Sequence, residues 1–311
     1  MDLSLVVPCY NEEESVPVIY KEVKKTLNEL EQTGRIKTWE YIFVDDGSRD
    51  KTLGVLRNFA DQDDHVHYVS FSRNFGKEAA LLAGLQAARG EYIVTLDADG
   101  QDPPSLVPEM LEAVASGEYD CVATRRVNRT GEPPVRSFFA RRFYALMKKI
   151  SDVDIVSGAR DFRLMSRKYL EAFLALQEQN RFSKGLFPWI GFRIKWLEYE
   201  NIERAAGRTK WSFWKLFLYS LDGIIAFTSK PLAIASVTGV LLFMASAALI
   251  VFIIIRRLVW GDPVDGWAST ICIILFSSGI QLFSVGLLGQ YVARIYSEVK
   301  NRPHFLIRES R

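Results

Sequence analysis

Cysteine is scarce in this 311-residue chain: Cys9, Cys121 and Cys272 stand at unrelated spacings, which excludes a disulfide framework and a zinc site. The soluble part is therefore expected in a reducing compartment. An excess of charge of either sign is also missing. With 39 Lys and Arg against 37 Asp and Glu, nothing points to a nucleic-acid partner. No basic segment, apolar run and cleavage site open the chain; LSLVV reads as a strand from residue 3, so no signal peptide is expected. No GxGxxG follows that strand, which argues against a dinucleotide oxidoreductase.

Two long stretches, by contrast, have no charge at all. Pro231 to Ile255 and Trp267 to Ala293 each exceed the roughly 20 residues needed to cross a bilayer, so two transmembrane helices are expected over 230–293. A short external loop would join them at 256–266. Lys210, Lys215 and Lys230 precede the pair and Arg294, Lys300 and Arg302 follow it, but Arg256 and Arg257 blur the positive-inside count; because nothing in the sequence would export the N-terminal domain, both termini are expected in the cytoplasm. Before the first span, residues 211–229 put large apolar side chains, with Trp211 and Trp214, on one side and Lys215 and Asp222 on another. That segment reads as an interfacial helix at headgroup depth. GLLGQ in the second span permits helix association, and so a homo-oligomer.

The first 210 residues read as one soluble α/β domain, and 294–311 as a cytoplasmic tail. Short continuous apolar runs at 3–7, 41–44, 66–71, 92–96 and 119–123 suit strands buried on both faces. Helical patterns at 15–30, 52–60, 78–88 and 104–115 alternate with them, which predicts a doubly wound, mostly parallel sheet. Ligands of such sheets bind beyond the carboxyl ends of the strands, where this chain places PCYNEEE, DDGSRD, SRNFGKE and DADGQD.

Roughly one DxD is expected by chance in a chain of this composition, and Asp61-Gln62-Asp63 and Asp152-Val153-Asp154 are two. Only Asp97 and Asp99 directly end a buried strand. Alternation points both to one side, where two carboxylates repel unless a cation lies between them. Mg2+ or Mn2+ fits, bridging the acids to substrate phosphates, and Gln101 could add an oxygen. Asp102 is expected to shape the turn or cap the next helix. Asp45 and Asp46 could accept hydrogen bonds from a base edge or ribose. Lys77, with free backbone N–H groups at Gly76, could meet a pyrophosphate. A run of cations from Arg125 to Lys149 expects an anion.

In order and spacing, VVPCYNEEE, VDDGSRD, SRNFGKEAAL and LDADGQDPP resemble the GT-A inverting glycosyltransferases of family 2. With DFRLMSR at 161–167, ERAAGRTKWSFWKL at 203–216 and the terminal spans, the likeness narrows to bacterial polyprenyl-phosphate glycosyltransferases, relatives of dolichyl-phosphate mannose synthase. The resemblance implies a GT-A domain on the cytoplasmic face of the plasma membrane. It implies that Pro8, Tyr10 and Glu12, with Asp45 or Asp46, hold the nucleoside, and that Asp97, Asp99 and Gln101 hold the metal on the diphosphate. It implies further that Arg125 and Arg136 meet the acceptor phosphate, that Arg204 and Lys210 close over the phosphates, and that Asp161 stands near the reacting centre. UDP-glucose is the expected donor and polyprenyl phosphate the expected acceptor. EQNRF at 178–182 departs from the QxxRW of processive synthases, so a single transfer is expected. A diacylglycerol or saccharide acceptor, or a non-catalytic nucleotide-sugar-binding subunit, are the alternatives.

Overall fold

The computed structural model of the protein describes residues 2–126, 156, 158–199, 230–260 and 267–311. The chain divides into two compact units, residues 1–220 with 302–311, and residues 221–301.

In the first unit eight strands form one sheet: β1 (Leu3–Cys9), β2 (Trp39–Asp45), β3 (Val66–Phe71), β4 (Tyr92–Thr95), β5 (Cys121–Arg126), β6 (Ala159–Ser166), β7 (Ile194–Tyr199) and β8 (Ile307–Ser310). Their order is β7-β5-β6-β4-β1-β2-β3-β8. The expected parallel pairing holds for β1 with β2 and β4, for β2 with β3, and for β5 with β7. The sheet is nevertheless mixed. Strand β6 runs antiparallel between β4 and β5, and β8 runs antiparallel to β3. Apolar composition reports burial, not strand direction, so neither reversal is visible in the residues.

The connecting helices are α1 (Ser15–Gln32), α2 (Thr52–Gln62), α3 (Lys77–Ala87), α4 (Val107–Ala115, entered through a 3-10 turn at Pro104–Leu106), α5 (Arg167–Leu174) and α6 (Ser183–Trp189). On α1, Val16, Ile19, Val23, Leu27 and Leu30 recur at helical spacing and join the core that holds Leu3, Leu5, Val7, Tyr41 and Phe43. All seven residues of β2 are buried, as a strand covered on both faces requires. Rigid strands covered in this way leave their carboxyl-end loops as the surface on which chemistry can be arranged.

The chain's end is not a trailing tail. Residues 302–311, expected as the last part of a tail over 294–311, return to the first unit and add β8 to the sheet edge. Tyr68 and Arg311 exchange backbone hydrogen bonds at 3.0 Å, and Ser72 N–H donates to the Leu306 carbonyl at 2.9 Å. Phe305 stacks on Phe71 at 4.8 Å, and Arg57 forks onto Glu309 at 2.8 and 2.6 Å. An uncovered β3 would present unpaired N–H and C=O groups to other chains. Deleting residues 304–311 should therefore turn a monodisperse sample into aggregates in size-exclusion light scattering. Arg57→Ala removes one exposed ion pair and should leave the elution profile unchanged.

In the second unit α7 (Lys230–Trp260) has 31 residues and α8 (Trp267–Lys300) has 34. Both outrun the expected spans. Helix α7 takes in the first five residues of the expected external loop, whereas 261–266 lie outside the described residues. Val240, Leu241, Met244, Phe252, Phe276 and Phe283 are among the exposed large apolar side chains of these helices. Among the described residues no helix counts as long and apolar enough to cross a membrane; several side chains inside α7 and α8 fall outside that description. The interfacial helix expected at 211–229 lies outside it entirely.

Candidate active site

The loops beyond β1 and β2 form one braced wall. Asn11 adopts a left-handed backbone (φ 52°), a conformation that a short polar side chain tolerates. Its N–H donates to Ser48 Oγ at 2.9 Å, and its side-chain oxygen accepts from Arg49 N–H at 2.8 Å. Glu12 N–H donates to Thr52 Oγ1 at 2.9 Å, and a Glu12 carboxylate oxygen accepts from Ser15 Oγ at 2.7 Å. Pro8 and Tyr10 are half-buried at the end of β1, beside this wall.

Asp45 and Asp46 hold the wall together from within. Asp45 accepts from Ser48 N–H at 3.0 Å and Ser70 Oγ at 2.8 Å. Asp46 accepts from Phe75 N–H at 2.6 Å, Gly76 N–H at 3.0 Å and Asn74 Nδ2 at 2.8 Å. Burial pushes the Asp46 carboxyl up to about 6, against the pull of those N–H donors. Of the backbone N–H groups leading into α3, those of Phe75 and Gly76 are thus engaged by Asp46, and a nucleoside would share the acids' remaining lone pairs. Gly47 (φ 65°) permits the close approach: a Cβ there would stand 2.4 Å from the Arg73 carbonyl carbon.

Beyond β4, Ala98 is buried, and Asp97 and Asp99 face one side as expected. Both approach Arg160 Nη2, at 3.7 and 3.9 Å. Arg160 Nε donates to Asp102 Oδ1 at 2.9 Å, and Tyr199 Oη donates to the same oxygen. The expectation for Asp102 is corrected here. It is a fully buried ion-pair partner, and no side chain caps the 3-10 turn after it. Burial raises its carboxyl above the ordinary range, and the adjacent guanidinium opposes that shift.

Asp161 enters this cluster from the start of β6, fixed where Thr95 Oγ donates to its carbonyl. Lys77, the first residue of α3, places Nζ 2.5 Å from Asp161 Oδ2 and 2.6 Å from Asp97 Oδ1. Burial alone would raise Asp161, but the Lys77 ammonium and the charge of Lys184 hold it well below the usual carboxylate range. Lys77, expected to meet a pyrophosphate, here pairs with Asp161 and Asp97. Helix α3 follows directly on Gly76 (φ 100°), whose N–H Asp46 clamps.

On β5, alternation separates the two arginines. Arg125 pairs outward with Glu198 of β7, in register with it, whereas Arg126 Nη2 donates to Gln101 Oε1 at 2.8 Å. The residue pointing toward the cluster is thus Arg126. Arg126 belongs to the cationic run expected to meet an anion, though no individual role was expected of it; Arg160 was missed in the sequence, and the neighbours of Asp161 in GARDFR were the available signal for it. Arg136, Arg204 and Lys210 lie outside the described residues, as does most of the cationic run. The decoy at 61–63 is structural: Asp63 takes Lys24 at 2.6 Å and Tyr20 Oη at 2.7 Å, and Asp61 pairs with Arg311.

Among the described residues no three His, Cys, Asp or Glu side chains converge as a ready metal cage. Two carboxylates do converge on one side, and they are hard oxygen donors. Mg2+ and Mn2+ are commonly held by one or two carboxylates, with waters and substrate phosphates completing the octahedron, so Asp97 and Asp99 fit such an ion.

A mixed sheet with acids at the carboxyl ends of β2 and β4, and Asp161 brought beside them at the start of β6, places this cluster where α/β proteins bind their ligands. The glycosyl transferase family 2 pattern matches residues 4–174, and the chain belongs to that family. It is 41% identical over 312 residues to an SfII prophage-derived bactoprenol glucosyl transferase of Shigella flexneri, covering 100% of this chain and 98% of that one. A prophage bactoprenol glucosyl transferase homolog of Escherichia coli K12 is 40% identical over 310 residues, 99% of either chain. Among solved structures, glucosyl-3-phosphoglycerate synthase of Mycobacterium tuberculosis, crystallised with Mn2+, UDP and phosphoglyceric acid, aligns with a TM-score of 0.50. At 21% identity, covering 72% of this chain and 76% of that one, it shares the fold.

Proposed function

We propose that the protein transfers glucose from UDP-glucose to polyprenyl phosphate at the cytoplasmic face of a bacterial plasma membrane, with inversion. The observation that carries this reading is the acid cluster of Asp97 and Asp99 beyond the carboxyl end of β4 and Asp161 at the start of antiparallel β6, with its internal cations. The full-length likeness to bactoprenol glucosyl transferases supports the acceptor and the sugar.

In the reaction a lipid phosphate oxygen attacks the anomeric carbon; the new C–O bond forms as the bond to the diphosphate oxygen breaks, releasing UDP. An α-linked donor so gives a β-linked product. A phosphate monoester, with a second pKa near 6, is largely ionised at neutral pH and needs little general-base help. Asp161, kept ionised by Lys77, then positions groups at the reacting centre. A divalent ion on Asp97 and Asp99 would neutralise charge on the departing diphosphate. Arg126 beside Gln101 adds a fixed positive charge on the same side.

The same proposal makes α7 and α8 a membrane hairpin. At 1.5 Å per residue they span about 46 and about 51 Å, beyond the ~30 Å of a hydrocarbon core. The return of β8 to the sheet of the first unit supports two crossings in this reading, since the chain leaves that unit and re-enters it. Self-association through Gly286 and Gly289 belongs to this reading, and blue-native electrophoresis of the purified protein tests it.

Detergent-purified protein incubated with undecaprenyl phosphate and UDP-glucose, UDP-GlcNAc or a GDP-sugar should yield a lipid-linked sugar with UDP-glucose, and EDTA should stop it. Release of free sugar alone would defeat the reading. Asp161→Asn should lower the rate by about tenfold to a hundredfold if phosphate is the nucleophile. Complete loss would point to a hydroxyl acceptor, such as diacylglycerol or a saccharide, that needs an ionised base.

A further inference from the structure

Lys77 and Arg160 both face the acid cluster, but they differ in freedom. Arg160 has 18% of its side chain exposed and is anchored on buried Asp102 at 2.9 Å. Lys77 has 45% exposed, sits at the first turn of α3, and reaches its partners through a four-carbon stem. One ammonium at 2.6 Å from Asp97 and 2.5 Å from Asp161 fills the space between two carboxylates that would otherwise repel. The loop behind it is held by three donors to Asp46, so the stem starts from a fixed point.

We propose that Lys77 is an exchangeable counter-ion of the donor site. It occupies Asp97 before the divalent ion arrives, must leave that carboxylate for the ion to bind, and so makes metal loading depend on the nucleotide diphosphate. This rests on the metal reading above. Without a diphosphate, an incoming ion gains two carboxylates but has to displace a paired ammonium from one of them. With a diphosphate, the phosphate oxygens supply further ligands to the ion and a new partner for the freed ammonium. Arg160 cannot take this part, because withdrawing it would strand Asp102.

The test is Mn2+ binding to the full-length, detergent-purified protein, followed by electron paramagnetic resonance of free Mn2+ with and without UDP. The wild type should bind Mn2+ weakly alone and tightly with UDP. Lys77→Met should bind Mn2+ alone about tenfold tighter or better, because one competing charge is gone, and should show a smaller gain from UDP. Lys77→Arg, which keeps a cation there, should stay close to the wild type. Lys77→Gln serves if Lys77→Met does not fold. Unchanged or weaker Mn2+ binding in the neutral variants overturns the counter-ion role while leaving the metal reading intact. Mn2+ binding in the wild type that is equally tight without UDP overturns the counter-ion role alone, and no Mn2+ binding even with UDP overturns the metal reading and the counter-ion role with it.

Discussion

Asp97→Asn should reduce sugar transfer by roughly three orders of magnitude while the protein remains folded. The substitution keeps the shape and removes the charge. Asp97 stands where Lys77 at 2.6 Å and Arg160 at 3.7 Å meet, so the loss deprives a divalent ion of a hard, charged ligand and leaves two cations facing each other. Folding is spared because the side chain keeps 16% exposure and Arg160 retains Asp102. Transfer measured with radiolabelled donor and undecaprenyl phosphate, beside a thermal melt, separates the two. Asp99→Asn should behave alike, since it faces the same guanidinium from 3.9 Å. Full activity in either variant would remove the metal assignment.

Arg160→Met should be the most destabilising change in the cluster, by about 3–5 kcal/mol, because it leaves a buried carboxylate without its partner. Asp102 is 1% exposed, and among the described residues its Oδ1 has only the Tyr199 hydroxyl beyond Arg160. Removal of the guanidinium raises the Asp102 carboxyl further, since burial already pushes it up and Arg160 opposes this. A folded-state pKa above the unfolded value means stability present at low pH and lost as pH rises through the folded value. The variant should therefore melt closest to the wild type near pH 5 and furthest from it near pH 8. Arg160→Met with Asp102→Asn should recover part of the loss at pH 8. A flat pH profile would show that the pair contributes packing and no electrostatics.

Much of this protein is legible from one dimension because the controlling physics is local. The runs at 3–7 and 66–71 became β1 and β3, and α1 to α3 begin within one residue of the expected starts, since burial and helical period are written in consecutive residues. Strand-end position likewise separated Asp97 and Asp99 from the decoy at 61–63, which the structure pairs with Lys24, Tyr20 and Arg311. Family membership was legible for the same reason: loops following buried strands carry the chemistry in order.

Pairing across long sequence separations was decided by the tertiary structure alone. Nothing near residue 307 announces a strand, because β8 is short, exposed and defined by the edge of β3. Strand β6 gives no local sign that it runs antiparallel, yet its insertion between β4 and β5 carries Asp161 and Arg160 to the acids of the β4 loop. The turn residue Asp102 became a buried ion-pair partner, and Lys77 the cation between Asp97 and Asp161, because Asp102 finds Arg160 58 residues away and Lys77 finds Asp161 84 residues away. The sequence by itself determined which residues are acids at strand ends and which stretches are hydrocarbon. Which charge neutralises which depends on distances of 2.5 to 4 Å across the sheet, and those exist only once the strands have been brought side by side.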